Sequence, residues 1–326
     1  MHAPLSTEAH VARGYTAALV AAAILSLTGI LIRCLTHVYH VPPLILAFWR
    51  DTLVAVALLP LLALLAPGRL RVGRAHLPYL AAYGLVLAAF NVLWTLAVAL
   101  TGAAVATVLV YSSAGLTVLL GRWLFGERLD AARLLAVALS LGGCALVSGA
   151  WSRAVWDTNL LGIATGALSG LGYAFYTLMG RSAARRGLDP WATLLYTFGF
   201  AAVCLLGLNL APIEIVPGTA AGVRDLVALG GIAAGSTLPA WGLLALLAAG
   251  PTLVGFGLYN VSLAHLPSAV ANLIVTLEPA FTTAIAYVLL GERLDALQVG
   301  GSIVILLAVV VLRVGEGVQT RRRVAS

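Results

Sequence analysis

The hexapeptide GERLDA occupies residues 126–131, and the same six residues return at 291–296. Sliding the chain by that step of 165 lays 101–131 on 266–296 without a gap, and 12 of the 31 positions are identical. Among them are Ala104-Val105-Ala106 on Ala269-Val270-Ala271, Val110 on Val275, Thr117 on Thr282 and Leu124 on Leu289. Apolar helices rich in Leu, Ala and Val resemble one another by composition alone. A shared polar hexapeptide is not explained that way, so the chain carries an internal repeat.

The surroundings of the repeat are those of a membrane protein. Of 326 residues, 61% are hydrophobic and only 10% charged, and the mean hydropathy is +1.03, far outside the soluble range. A helix needs about 20 apolar residues to cross the ~30 Å hydrocarbon core, where only helices and closed barrels satisfy their own backbone. Ten stretches qualify, near 14–35, 42–66, 77–98, 102–124, 131–150, 158–180, 189–210, 240–263, 266–290 and 296–314. Pro67-Gly68, Thr101-Gly102 and Asp189-Pro190 mark joints, and the Pro-, Gly- and Ala-rich segment 211–239 is expected to hold a short interfacial helix. The resulting division is an N-terminal tail 1–13, a first five-helix repeat 14–150, a second repeat 158–314 and a C-terminal tail 315–326. The first apolar run is too long for a signal-peptide core and lacks a clear cleavage site, so it is expected to stay as an anchor.

Charge sets the expected orientation. The 19 basic residues are all Arg. With a cytoplasmic N-terminus, 14 lie inside (Arg13, Arg69, Arg71, Arg74, Arg122, Arg128, Arg133, Arg181, Arg185, Arg186, Arg313 and Arg321 to Arg323). Arg33, Arg153, Arg224 and Arg293 fall outside, with Arg50 within a span. That asymmetry obeys the positive-inside rule and places both termini in the cytoplasm of an inner or plasma membrane. It also explains the net charge of +7 without a nucleic-acid partner, which would need Arg gathered on one face. Five spans, an odd number, separate the GERLDA copies, so the first faces inside and the second outside. Arg122 and Arg133 beside the inner copy accordingly become Tyr287 and Gln298 beside the outer one. Two inverted five-helix halves imply a secondary transporter with a central cavity and alternating access. Its expected partners are a small-molecule solute and the lipid bilayer, and it would act as a monomer or homodimer.

Within the spans a few residues carry chemistry. Glu278, near the middle of span nine, would cost about 2.5–3.5 kcal/mol if it faced lipid, so it should face protein or water. It is a candidate proton site or partner for a cationic amine, and equally a hydrogen-bonded packing residue. Arg50 is a candidate gate or contact for an anionic group. Because neighbouring helical residues point about 100° apart, Arg50 is expected to meet a carbonyl or acid on another helix rather than Asp51. Asn272, Thr276, Pro279 and Thr283 share one helix face, and Thr107, Tyr111 and Ala114 repeat its start under the 165 shift. Trp94 and Tyr259 are likewise equivalent and, with Tyr173, Asn91 and Asn260, are candidates to line a cavity. Interfacial belts and packing are the competing roles for aromatics, as close packing is for small residues such as Gly162, Gly166 and Gly170. Pro251 and Pro279 should kink their helices and free carbonyls. The charges of the two hexapeptides are read as structural, bonding helix ends.

Other classes find little support. A phosphate-binding loop needs a Lys, and the chain has none, so it should not hydrolyse ATP. His37 and His40 form the only close His pair and lack a third ligand, while Cys34, Cys144 and Cys204 sit in apolar runs. No cofactor, metal or catalytic group is expected. A membrane-embedded enzyme or a channel is the alternative reading.

AFWR at 47–50, ALTGAAVATVLVYSSAGLTVLLGRWLFGERL at 99–129, GALSGLGYAFYTLMGR at 166–181 and AHLPSAVANLIVTLEPAFTTAIAYVLLGERL at 264–294 together resemble the drug/metabolite transporter superfamily, specifically its EamA-type ten-helix permeases. The resemblance covers about 18–149 and 160–314. It implies an all-α fold of two inverted repeats and transport of small metabolites, often amino-acid-like or amphipathic and frequently by export. Two positions depart from the family pattern: Leu27-Thr28-Gly29 stands where Trp-Gly is frequent, and Ser113-Ala114 where Ser-Pro or Glu-Pro is common.

Overall fold

The computed structural model describes residues 4–127, 129–147, 153, 160–211, 220, 222–231, 237–290 and 295–325. These form helices and turns, with no strand among them. In chain order they are α1 (Pro4–Leu25), α2 (Leu27–Arg33), α3 (Pro43–Leu65), α4 (Leu77–Tyr111), α5 (Ser113–Phe125), α6 (Ala131–Val147), α7 (Leu160–Arg185), α8 (Pro190–Leu210), α9 (Val223–Val227), α10 (Thr237–Leu247), α11 (Phe256–His265), α12 (Ser268–Val275), α13 (Glu278–Leu290) and α14 (Ala296–Ala325). The outer helices begin and end beyond the apolar runs expected, at Pro4 and Ala325. The short α9 falls in the segment where an interfacial helix was expected.

Seven helical stretches among the described residues are long and apolar enough to cross a membrane, and Ala131–Val147 is a shorter apolar one. The glycine-rich α7 and the broken pair α12 and α13 lie outside that count, which therefore stops short of ten. The outside of the bundle is greasy: Leu64 is 82% exposed, Trp123 80% and Leu160 79%. Water would penalise such a surface, and hydrocarbon would not.

Thr101-Gly102 is not a gap in helix, since α4 is assigned without interruption from Leu77 to Tyr111. The direction of packing nevertheless reverses there. Gly180, Gly172 and Gly162 of α7 face Tyr83, Phe90 and Leu100 in turn, an antiparallel run. Gly166 and Gly170 then face Leu109 and Val110 with Ser112, a parallel one. The two packing runs of α4 against α7 meet near Thr101-Gly102, where the sequence places a joint.

The equivalent helices of the two repeats pack against each other head to tail. Along α6 and α14, Ala132 meets Gly315 while Gly143 meets Gly301 and Ile305. Between the helix pairs α4/α5 and α12/α13, Tyr111 bonds Glu278, Thr117 bonds Asn272 and Glu127 bonds Ser268. Helices that correspond by sequence and run opposite ways belong to halves of opposite orientation. The second hexapeptide lies outside the described residues at 291–294, so the inversion is carried by these pairs.

Close approach at the α6–α14 crossing is a property of two glycines. A Cβ on Gly143 would stand 2.8 Å from the Gly301 carbonyl oxygen and 2.6 Å from Ile305 Cγ1, whereas one on Gly142 would meet nothing within 4 Å. Gly143→Val is therefore expected to cost about 1–3 kcal/mol, read as a lowered melting temperature in detergent. Gly142→Ala should leave it unchanged or raise it.

Candidate functional site

Four helix interruptions gather near the middle of the bundle. The first span breaks at Ser26, between α1 and α2. A break at Ser112 separates α4 from α5, and its counterpart under the 165 shift, Leu277, lies with Thr276 between α12 and α13. Pro279 explains the last of these, because it lacks the N–H that would bond the carbonyl of Val275. The fourth is a π-helical stretch, Ala248–Gly255, containing Pro251. Here Pro251 contributes no N–H to the helix, and Thr252 Oγ1 donates to the Leu247 carbonyl at 2.8 Å.

A cavity of about 60 Å³ lies among these breaks, several times the ~10–15 Å³ that a single water needs. Its charged lining is Arg50 on α3 and Glu278 at the start of α13; Phe90, Trp94, Tyr111, Tyr173 and Phe256 form its aromatic walls. Leu25, Thr28, Thr107 and Val110 complete it. Tyr111 donates its hydroxyl to Glu278 Oε2 at 2.7 Å, which fixes the carboxyl against the end of α4. Thr28 Oγ1 has no protein partner among the described residues, which leaves a hydroxyl available in the wall.

Arg50 departs from expectation. Its Nε donates to the neighbouring Asp51 Oδ1 at 3.3 Å, not to a group on another helix. The Arg stem is long and flexible enough to fold back across the ~100° between successive side chains. Among the described residues no acid from another helix bonds Arg50, but an amide reaches its partner: Asn91 Nδ2 on α4 donates to Asp51 Oδ2 at 2.7 Å. Asp51, fully buried at 0% exposure, thus anchors Arg50 from behind while Arg50 itself lines the cavity.

Of the residues singled out in the sequence, Trp94, Thr107, Tyr111, Tyr173, Arg50 and Glu278 meet in this cavity. Tyr259, Asn260, Asn272 and Thr276 do not. They form a buried layer beside it: the Tyr259 hydroxyl pairs with Thr177 Oγ1 at 2.8 Å, Asn272 Nδ2 donates to Thr117 and Thr177, Thr276 Oγ1 donates to Ser140 Oγ, and Tyr176 donates to Asn260 Oδ1. Tyr173 stacks on Tyr259 at 5.9 Å and joins the two groups. The division follows the repeat. Trp94, Thr107 and Tyr111 of the first half line the cavity, while their counterparts Tyr259, Asn272 and Thr276 of the second half are closed into packing. Trp94→Ala should therefore raise an apparent Km severalfold with little change in melting. Asn272→Ala should instead lower stability by about 1–3 kcal/mol, since its amide donates to buried hydroxyls.

Phe90, Phe256, Leu25, Thr28 and Val110 were not foreseen. Phe90 was findable, since it precedes Trp94 by four residues and so shares its helix face. Thr28 sits at one of the departures from the family pattern, and nothing in its own residue type advertised a cavity.

A second cavity, of about 260 Å³, is lined by Ile32, Thr36, His37, His40, Val41, Pro42, Pro43, Thr95 and Val98. Ile32 lies one helical turn beyond Thr28, and Thr95 adjoins Trp94, so the two cavities are neighbours along α2 and α4. No group of three or more His, Cys, Asp or Glu that would hold a metal ion occurs among the described residues.

A model of the EamA-like transporter family matches residues 12–149 and 160–314. No curated protein matches the chain in sequence. Among solved structures, one described as "Crystal structure of protein" is 18% identical, with a TM-score of 0.69 over 93% of this chain and 96% of that one. At that identity the likeness speaks for the fold alone.

Proposed function

Because the chain belongs to the EamA-like transporter family, and so is a multi-pass membrane transporter of the drug/metabolite type, we propose that it is a secondary carrier whose solute binds in the cavity between Arg50 and Glu278. The solute class follows from the walls. A guanidinium suits a carboxylate, an acidic side chain suits an amine, and the rings of Phe90, Trp94, Tyr173 and Phe256 suit an apolar body between them. A small zwitterion of the amino-acid type, with an apolar side chain, satisfies all three.

The observation that carries this reading is the pair of opposite charges lining one small, largely aromatic cavity. Broken helices around the cavity support alternating access, since half-helix ends and unwound backbone are typical surroundings for a carrier's site. The Arg distribution supports cytoplasmic termini in an inner or plasma membrane. The family resemblance favours export. A ligand present at 100 times its Kd stabilises a protein by ~2.7 kcal/mol, so a thermal-shift screen of amino acids and related metabolites identifies the solute. Counterflow in proteoliposomes then tests the carrier: accumulation of labelled solute against a preloaded pool is expected. Flux linear in concentration, without counterflow, would mean a channel.

A further inference from the structure

Thr36, His37 and His40 line the larger cavity near one end of the bundle, whereas at the other end the whole of Ser268 to Thr276 is buried. At that buried end, Glu127 of the first hexapeptide reaches across from one half to the other. Its carboxylate accepts from Ser268 N at 2.9 Å, Ser268 Oγ at 2.7 Å and Ala269 N at 3.2 Å. These are the free donors of the first turn of α12, which carry the positive end of the helix dipole. Glu127 is buried, at 8% exposure.

The adjoining helix end is held in the complementary sense. Arg181 Nη1 donates to the carbonyls of Leu263 and Ala264 at 2.8 and 3.3 Å, the negative end of α11. The corner Leu266-Pro267 thus sits between a cation at the C-terminal end of α11 and an acid at the N-terminal end of α12. From Ser268, α12 leads inward through Asn272 to Thr276, the layer that separates this end from the cavity.

Resting on the carrier reading above, we propose that Glu127 is the gating residue of this end, and that its release from Ser268 and Ala269 opens the layer and turns Tyr259, Asn272 and Thr276 into the second face of the solute site. The inverted repeat supplies the reason. Trp94, Thr107 and Tyr111 line the cavity, and their counterparts occupy the equivalent positions in the other half. The Glu127 bonds are directional and made across the two halves, while those of Arg181 lie within the second half. The cross-half bonds stabilise one conformation and are not needed to build either half.

The experiment uses the full-length protein with Cys34, Cys144 and Cys204 replaced by Ala, and a single reporter cysteine at Thr107 or Thr276. A membrane-impermeant methanethiosulfonate is added from either face of the membrane. With Glu127 intact, Thr107→Cys is expected to react from the His37 face only, and Thr276→Cys to be slow from both. Adding Glu127→Ala should speed modification of Thr276→Cys from the hexapeptide face by about tenfold or more, the factor expected for losing a hydrogen bond to a charged group. Ser268→Ala, which removes one of the three bonds, should do the same at smaller amplitude, and it decides the matter where Glu127→Ala does not yield monodisperse protein. Unchanged reactivity of Thr276→Cys in the variant overturns the gate and leaves the carrier intact. Equal reactivity of Thr107→Cys from both faces in the parent overturns the carrier reading itself.

Discussion

Arg50→Met is expected to lower solute transport by about 30-fold or more, because truncating one member of a buried charged contact costs about 2–5 kcal/mol and each 1.4 kcal/mol is tenfold. Two effects contribute, and they can be separated. The guanidinium lines the cavity, so a solute carboxylate loses its partner. It also bonds Asp51, whose fully buried carboxylate would then keep only the Asn91 amide. An uncompensated buried charge costs about 3–5 kcal/mol of stability, so the single variant should melt well below the parent. Arg50→Met with Asp51→Asn removes both charges and should recover most of the melting temperature without recovering transport. Recovery of transport in the double variant would mean that Arg50 serves Asp51 and not the solute. Uptake by proteoliposomes and thermal melts in detergent give the two readings.

The fold was legible because its determinants are local or repetitive. Hydrophobic length reports on the bilayer, and a polar hexapeptide written twice reports on symmetry. Each can be read without knowing what touches what. The helix interruptions were partly legible for the same reason: Pro251 and Pro279 announce a missing donor wherever they stand. Ser26 and Ser112 gave no such warning. At each break the serine hydroxyl donates to the carbonyl three residues earlier, Ala23 and Leu109, and Thr282 Oγ1 donates to the Ser26 carbonyl at 2.9 Å.

The candidate site was legible by half, and the repeat explains which half. Sequence equivalence treats Trp94 and Tyr259, Thr107 and Asn272, or Tyr111 and Thr276 as interchangeable. One conformation does not, because the first-half member of each pair lines the cavity while the second-half member is buried in packing. No pattern in the chain states which member is packed away. Arg50 failed for a different reason: the ~100° rule describes Cβ directions, and a long side chain bends round it. Glu127 was read as a structural charge at a helix junction, and sequence could not show that the helix end it holds belongs to the other repeat.

Glu278→Gln is the second substitution with a large expected effect, and it distinguishes the roles open to this carboxyl. The amide keeps the shape and can still accept from Tyr111, so melting should change little. The charge is lost, and an amine-bearing solute should bind about tenfold or more weaker, the scale of one hydrogen bond to a charged group. The pH dependence carries the sign. Only the ionised carboxylate attracts an amine, so in the parent apparent affinity should fall as pH drops and the carboxyl takes up its proton. The Gln variant is neutral throughout, so its affinity should be flat with pH and equal to the parent's acid limb. If Glu278 instead carries a coupled proton, the variant should lose uphill uptake driven by a pH gradient while keeping counterflow, because exchange of solute for solute needs no net proton movement. A variant with the parent's pH profile in both assays would make Glu278 a packing residue held by Tyr111, and the amine of the proposed solute would need another partner.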